Sequence, residues 1–159
     1  MNKLSHLDKD GNPSMVDISA KEVTKRSATA RTTMKLSSYI LKELTDNDII
    51  TKKGSVFQTA RLAGIMAVKK TSDLIPLCHP LSISKCSVDM GFNDDQELEI
   101  NCTVMLEGKT GGEMEALTGA TVAALTVYDM CKSISHDMLI KETVLIEKKG
   151  GKSDIVNEK

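Results

Sequence analysis

Residues 110–132 read TGGEMEALTGATVAALTVYDMCK, a glycine turn followed by a long helical pattern. Thr110 and Glu113 have the spacing of a capping box, in which each side chain accepts a backbone N–H group at the start of a helix. The pattern therefore predicts a helix that begins near Glu113. Two of its faces carry mainly apolar or small residues: Met114, Leu117, Thr121, Leu125 and Tyr128 on the first, and Ala116, Ala120, Ala123 and Val127 on the second. We expect both faces to be buried.

This predicted helix also contains a glycine and an acid–lysine pair. Gly119 costs about 1 kcal/mol relative to alanine in a helix interior, and this cost predicts that another backbone comes close. Asp129 and Lys132 are three residues apart and can contact each other. Two interpretations of the pair stay open: an ordinary surface ion pair, or a functional pair, since an acid in the last turn is unfavourable at the negative end of the helix dipole.

The composition indicates one domain of ordinary size. The chain has 159 residues, of which 40% are hydrophobic, and we expect a single domain over residues 1–159 with flexible segments at 1–14 and 153–159. Lys plus Arg number 21 against 22 Asp plus Glu, so the net charge of −1 gives no electrostatic argument for a nucleic acid or membrane partner. Only two Phe, two Tyr and no Trp are present, which disfavours binding of nucleic acid by base stacking.

The sequence also indicates a location and the state of the thiols. It shows neither a charged-then-apolar leader nor an apolar run of about 18 residues, and we therefore expect a cytoplasmic protein. Cys78, Cys86, Cys102 and Cys131 have no Cys-x-x-Cys spacing and lie mostly in apolar patterns. We predict no zinc site and no disulfide framework, and we expect the thiols to be dispensable for chemistry.

The order of the predicted elements indicates the fold class. We predict a strand over 23–34, a short helix over 37–44, a helix from a Ser55/Gln58 capping box to residue 70, strands over 82–91 and 97–107, the long helix, and a strand over 138–147. This is the β-α-β-β-α-β order of the ferredoxin-like α+β fold with an extra helix, and it predicts an antiparallel sheet with helices packed on one face. Apolar edges beyond one such layer pair favour oligomerisation.

Two further segments could belong to a site. Pro76 and Pro80 restrict the backbone on either side of His79, so this histidine is either a packed connector or a rigidly mounted functional group. The segment 148–153, KKGGKS, is basic and glycine-rich, and it is either a charged tail or a loop that contacts phosphate. No complete nucleotide-binding fingerprint occurs in the chain.

Three segments in order resemble a known family: LIPLCHPL at 74–81, TGGEMEALT at 110–118 and AALTVYDMCK at 123–132. Together they resemble the cyclic pyranopterin monophosphate synthase family of molybdenum cofactor biosynthesis, and the resemblance extends from Met15 to Ser153. It implies a ferredoxin-like fold, homohexamers built from dimers (a trimer of dimers), and an active site at a subunit interface. It also implies conversion of 3',8-cyclo-7,8-dihydro-GTP, supplied by a radical S-adenosylmethionine enzyme, into cyclic pyranopterin monophosphate with release of pyrophosphate.

The resemblance assigns site residues one by one. It implies catalytic roles for Asp129, Lys132 and Lys53. The substrate-binding positions that it implies are Leu77, Cys78, His79, Glu113, Met114 and Glu115, with the basic residues Arg26, Lys148 and Lys152 around the substrate and its triphosphate. The chain departs from the family pattern at Ser55, where Asp is usual, and at Gly112, where Val is typical. Ser55 can cap the following helix as Asp would, but it lacks the charge of Asp.

The implied reaction calls for several proton transfers and no redox step, so no cofactor is expected. Mg²⁺ is compatible with the triphosphate, although we see no cluster of carboxylates for a metal cage. A lysine close to other cations and partly desolvated is expected to have a lowered pKa. The alternative is a non-catalytic ferredoxin-like module that binds an anionic nucleotide, and turnover distinguishes the two.

Overall fold

The computed structural model describes residues 6–157 and contains the predicted strands and helices in the predicted order. The elements are β1 (Thr24–Lys35), α1 (Ser38–Leu41), β2 (Leu44–Thr45), β3 (Asp48–Thr51), β4 (Gly54–Ser55), α2 (Val56–Val68), α3 (Thr71–Leu74), β5 (Ile83–Phe92), β6 (Leu98–Gly108), α4 (Glu113–Cys131), β7 (Leu139–Lys149) and β8 (Ile155–Val156). The predicted bounds of the long strands agree with these within about two residues.

The main sheet has five antiparallel strands in the order β5-β6-β1-β7-β8. Alternate residues of its central strands are buried, among them Ala28, Ala30, Leu98 and Ile100. Helix α4 packs against β1, β6 and β7, while α2 packs beside it and against β5. The predicted ferredoxin-like α+β fold is therefore confirmed.

The two long helices approach each other at a pair of glycines. A Cβ atom on Gly119 would lie 2.6 Å from the sulfur of Cys102 and 2.7 Å from a methyl of Val68. A Cβ atom on Gly64 would lie 2.9 Å from the carbonyl oxygen of Gly119. Because real Cβ contacts are longer, neither position accepts a side chain without a shift of α2 or α4. The predicted close approach of a backbone at Gly119 is confirmed.

The helix predictions need four corrections. The first predicted helix ends at Leu41, because the chain then enters a small sheet, β2-β3-β4, that the sequence pattern did not predict. Helix α2 ends at Val68, two residues early, and a separate short helix, α3, follows it. The capping box of Thr110 is wrong, since Gly112 is the N-cap of α4 and no side chain caps it. Burial of both α4 faces is also wrong, because Leu125 on the first face is 54% exposed while the alanine face is buried.

The structure describes part of each segment that was predicted to be flexible. Residues 1–5 and 158–159, which belong to the segments predicted to be flexible, are outside the described residues. Residues 6–14 form a turn in which the carboxylate of Asp8 accepts backbone N–H groups from Asp10 and Asn12. Near the other end, β8 pairs with β7. Flexibility of these segments stays a prediction.

Among residues 6–157, no helix combines the length and apolarity needed to span a bilayer.

Candidate active site

The predicted site residues form two groups at opposite ends of α4. Asp129 and Lys132 lie at its carboxyl end, where the β3–β4 hairpin brings in Lys53. We call these three residues the acid–lysine cluster. Glu113 and Glu115 lie at the amino end, beside two pockets. The helix therefore positions both groups of residues.

The acid–lysine cluster is built on one carboxylate. Nζ of Lys132 lies 2.7 Å from Oδ1 of Asp129, and Nζ of Lys53 lies 3.3 Å from Oδ2. The side chains of Lys53, Asp129 and Lys132 are 61%, 54% and 50% exposed. The backbone of Lys53 is held in the hairpin turn, where its N–H donates to the hydroxyl of Thr51 over 3.1 Å. The sequence predicted the Asp129–Lys132 contact; Lys53 joins it only through the fold.

The protonation states of this cluster follow from its contacts. Hydrogen bonds from Lys132 and Lys53, together with their charges, lower the pKa of Asp129. The hydrogen bond and the charge of Asp129 raise the pKa of Lys132. The expectation of a lysine pKa lowered by nearby cations is therefore wrong for Lys132 in this chain. Both exposure and a bound carboxylate favour its charged form, so the cluster holds a carboxylate and an ammonium group at neutral pH.

The first pocket at the amino end of α4 is a cleft of about 470 Å³, which we call the basic cleft. Its positively charged lining residues are Lys21, Arg26, Lys109, Lys148, Lys149 and Lys152, against two acidic ones, Glu22 and Glu113. This excess of positive charge favours an anionic ligand. Arg26 is oriented by a 2.9 Å hydrogen bond from its Nε to the carbonyl oxygen of Gly108. The fold thus brings Arg26, Lys148 and Lys152 to one cleft.

A tight turn presents the carboxyl-terminal lysines to the basic cleft. Gly150 has φ of +81°, and a Cβ atom there would overlap the carbonyl oxygen of Lys25. Its carbonyl oxygen accepts from the hydroxyl of Thr24 over 2.7 Å, and its N–H donates to Oδ1 of Asp154 over 3.0 Å. Only glycine adopts this conformation readily, so the turn requires Gly150. Lys148 and Lys149, which the sequence placed in the tail, belong to β7.

The second pocket, about 300 Å³, lies on the other side of the turn at residues 110–111, and we call it the histidine pocket. Its lining includes the predicted substrate-binding residues Leu77, Cys78, His79, Glu113, Met114 and Glu115. Thr110, Gly111 and Glu113 line both pockets. The two pockets are therefore neighbours, and one elongated ligand with an anionic end could occupy both.

The two glutamates of the first α4 turn have opposite environments. Burial raises the pKa of Glu113, but a 2.8 Å hydrogen bond from Lys148 and the charges of Lys148 and Arg26 outweigh it, and the pKa is lowered. Glu115 is only 4% exposed, and burial followed by repulsion from Glu113 raises its pKa. Burial also raises the pKa of the Cys78 thiol. The pocket thus holds one ion-paired carboxylate and one that resists ionisation.

The two groups of predicted residues do not meet within one chain. Glu113 and Asp129 are sixteen positions apart on the same helix, which at 1.5 Å per residue separates them by about 24 Å. The basic cleft and the histidine pocket are therefore remote from the acid–lysine cluster. One ligand reaches all predicted residues only if a second copy of the chain supplies one of the two groups.

Several lining residues were absent from the predictions. Lys21 and Lys109 add charge to the basic cleft, and Nζ of Lys109 donates to the carbonyl oxygen of Ser19 over 2.6 Å. His6 lines the histidine pocket although it is far from His79 in sequence. Thr110 lines both pockets instead of capping α4. The glycine turn beside Lys109 and Thr110 was a visible signal, whereas nothing local linked residues 6 and 21 to a site.

The structure accounts for both departures from the family pattern. Ser55 is the N-cap of α2, as predicted, since its hydroxyl accepts the N–H of Gln58 over 3.1 Å. The same hydroxyl donates to the carboxylate of Asp48, so negative charge is present beside Ser55. A Cβ atom on Gly112 would lie 2.8 Å from a methyl of Leu106, so a valine there would require this packing to shift.

Among residues 6–157, no cluster of three His, Cys, Asp or Glu side chains could hold a metal ion.

The sequence is similar to those of several named proteins. Residues 15–151 match the MoaC family. The chain is 51% identical to the cyclic pyranopterin monophosphate synthase of Xanthomonas oryzae pv. oryzae (strain MAFF 311018), over 96% of this chain and 93% of that protein. It is 47% identical to the protein of the same name from Lysinibacillus sphaericus (strain C3-41), with 100% of both chains covered. Molybdenum cofactor biosynthesis protein 1 of Dictyostelium discoideum is 49% identical over 96% of this chain and 27% of its own length.

Proposed function

Because the chain belongs to the MoaC family, we propose that it is a cyclic pyranopterin monophosphate synthase that acts early in molybdenum cofactor biosynthesis. Two relatives that it matches over more than nine-tenths of their length bear that name. The reaction converts 3',8-cyclo-7,8-dihydro-GTP, hereafter cyclised GTP, into cyclic pyranopterin monophosphate and releases pyrophosphate. The observation that supports this function most directly is the carboxylate of Asp129, held between two ammonium groups.

The acid–lysine cluster fits the proton transfers of this reaction. Opening the imidazolone ring and forming the pyrazine ring both require protons to be taken up and released at defined atoms. Lys132 is charged and can donate a proton, and ionised Asp129 can accept one or orient the lysine. Lys53 supplies a second ammonium group at the same carboxylate. Binding of the substrate would displace water from these exposed groups and thereby strengthen their interactions.

The basic cleft fits the triphosphate of cyclised GTP. Closing a cyclic phosphate requires attack at the innermost phosphorus while pyrophosphate leaves with its negative charge. Arg26, Lys148 and Lys152 line the cleft and can stabilise that charge. We assign the ring system to the adjoining histidine pocket, which His79 and Glu115 line. Proton transfer and phosphate displacement need no redox cofactor, and Mg²⁺ accompanying the triphosphate is compatible with them.

The proposed active site lies between subunits. About 24 Å of helix separates Glu113 from Asp129 in one chain, so a second copy must bring its acid–lysine cluster to the pockets of the first. Exposed apolar side chains on the two long helices, Leu62 and Met66 on α2 and Leu125 on α4, offer surface for such association. We therefore propose a homohexamer arranged as a trimer of dimers, in the cytoplasm, with cyclised GTP supplied by a radical S-adenosylmethionine enzyme.

The second candidate is a ferredoxin-like module that binds an anionic nucleotide without turnover. It is favoured by the exposure of the acid–lysine cluster, which resembles that of surface ion pairs. A pyrophosphate-release assay with cyclised GTP decides between the two. The enzyme is expected to release one pyrophosphate per substrate over many turnovers, whereas the module would bind the nucleotide and release none.

A further inference from the structure

The β3–β4 hairpin that presents Lys53 is tied to α2 by one side chain, Asp48. Its Oδ1 accepts the N–H of Ile49 over 2.7 Å and the N–H of Phe57 over 2.9 Å. Its Oδ2 accepts from the hydroxyl of Ser55. One carboxylate therefore contacts the start of β3, the end of β4 and the first turn of α2.

These contacts fix the base of the hairpin relative to the helix layer. Ile49, next to Asp48, is fully buried in the core, and Ile50 pairs with Ser55 across the hairpin. Helix α2 in turn packs against α4. From Asp48 the connection thus runs through α2 to the helix that bears Asp129. The turn with Lys53 at its tip is exposed, so its placement depends on this base.

The charge of Asp48 suits this role. Burial raises its pKa, but hydrogen bonds from Ser55, Phe57 and Ile49 and the charge of Arg61 outweigh burial and lower it. Asp48 also contributes, after burial, to the raised pKa of Cys131, the residue before Lys132. The carboxylate is therefore ionised at neutral pH and lies close to the carboxyl end of α4.

We propose that Asp48 is a positioning residue for the reaction: by tying the hairpin to α2, it holds Lys53 at the carboxylate of Asp129. Asp48 itself contacts neither Asp129 nor Lys132, so it acts through Lys53. The inference rests on the proposed function. A misplacement of about 1 Å at a catalytic group can cost about 100-fold in rate, so loss of this tie should be visible in turnover.

The test is Asp48→Ala in the full-length protein, measured by pyrophosphate release from cyclised GTP. We expect kcat to fall about 10-fold or more. The affinity for cyclised GTP should change by less than about twofold, because Asp48 contacts none of the residues that line the basic cleft or the histidine pocket. Asp46→Asn is the matched control, because Asp46 is an exposed aspartate in the turn between β2 and β3 of the same small sheet, and asparagine also adopts its left-handed backbone (φ of +50°). It should leave kcat unchanged.

Coupling to Lys53 separates positioning from general stability. If Asp48 acts through Lys53, the double variant Asp48→Ala/Lys53→Ala should turn over no more slowly than Lys53→Ala alone. Multiplicative losses, or normal kcat in Asp48→Ala, would overturn the proposal. If circular dichroism shows that Asp48→Ala is unfolded, Asp48→Asn, which keeps an acceptor for the N–H groups, serves in the same cycle with a smaller expected fall. No pyrophosphate release by the wild-type protein would instead contradict the proposed function itself.

Discussion

Nζ of Lys53 lies 3.3 Å from Oδ2 of Asp129, although 76 positions separate the two residues in the sequence. The other oxygen of the same carboxylate receives Lys132 at 2.7 Å. Helix spacing alone explains the contact with Lys132. It does not explain Lys53, which a separate hairpin brings to the same group. Convergence of two lysines on one acid is the feature that separates this cluster from an isolated surface pair.

The first prediction concerns the roles of this cluster. Asp129→Asn and Lys132→Ala should each lower kcat by about 10²-fold to 10⁴-fold, because each removes a group proposed to transfer protons. Because both residues act on one proton pathway, the double variant should lose little more than the worse single variant. Pyrophosphate release measures the rate, and thermal melting verifies that the variants are folded.

The control for this prediction is another exposed ion pair. Nζ of Lys141 lies 2.8 Å from the carboxylate of Glu97, and the side chain of Lys141 is 44% exposed. Lys141→Ala should leave kcat unchanged, because that pair lies in neither pocket. Near-normal turnover in Asp129→Asn would show that the acid–lysine cluster is a surface ion pair without a catalytic role.

The second prediction is a pH-dependent contribution of Glu113 to stability. Its pKa is lowered in the folded chain, since the contacts with Lys148 and Arg26 outweigh burial. A carboxyl group whose pKa is lower in the folded protein stabilises the fold at pH values above its ordinary pKa of 4.5. That stabilisation is lost as the pH falls through the pKa of the folded state. Glu113→Gln should therefore lower the free energy of unfolding by about 1 kcal/mol at pH 7. The difference from wild type should shrink steadily below pH 4.5.

Urea unfolding at several pH values measures this difference. Glu107→Gln is the matched control, because the side chain of Glu107 forms no ion pair with any residue between 6 and 157. A destabilisation by Glu113→Gln that is constant from pH 7 to pH 3 would show that the ion pair with Lys148 is not its source.

The order of the long strands and helices could be predicted from the sequence, because apolar or small residues repeat along each of them with the period of a strand or a helix. Alternation over 98–106 and the small-residue spacing of α4 both correspond to a buried face. The β2-β3-β4 sheet was missed because its strands have two to four residues, too few for a period to be visible. Exposure of Leu125 was missed because an apolar face that another subunit can cover has the same pattern as a core face.

The candidate site was predictable only in part, for a similar reason. Motif resemblance pointed to Asp129, Lys132 and His79, and the structure places each of them beside another predicted residue of its own segment. The resemblance implied an active site at a subunit interface but not which residues each subunit supplies, whereas the structure divides the predicted residues into two groups about 24 Å apart. His6 and Gly150 meet residues far away in the sequence, at the histidine pocket and at Thr24, and Asp48 joins three separate elements, β3, β4 and α2. No spacing rule within one segment reveals contacts of that kind.

The third prediction concerns the turn that presents Lys152. Gly150→Ala should destabilise the protein by at least about 1 kcal/mol, because an L-residue at φ of +81° is strained and its Cβ would overlap the carbonyl of Lys25. It should also raise KM for cyclised GTP, since the turn places basic groups in the cleft. Gly91→Ala is the control, because a Cβ atom there meets nothing within 4 Å. Equal melting temperatures and KM values for the two variants would contradict this account.

The last prediction tests whether the active site is shared between subunits. Asp129→Asn removes function from the acid–lysine cluster, and His79→Ala removes it from the histidine pocket. If each site takes its cluster from one subunit and its pocket from another, a mixed assembly contains some sites with neither change. In an equal mixture with random assembly, half of the clusters and half of the pockets are intact, so about a quarter of the sites are native.

We therefore expect two nearly inactive proteins, unfolded together and refolded as a mixture, to regain about a quarter of wild-type pyrophosphate release. A mixture of Asp129→Asn with Lys132→Ala is the matched control, because both changes lie in the same cluster and every site then carries one of them. That mixture should stay inactive. Light scattering verifies that all mixtures assemble alike. If the first mixture assembles but recovers no activity, each chain completes its own site. The separation of about 24 Å between Glu113 and Asp129 along α4 argues against that outcome.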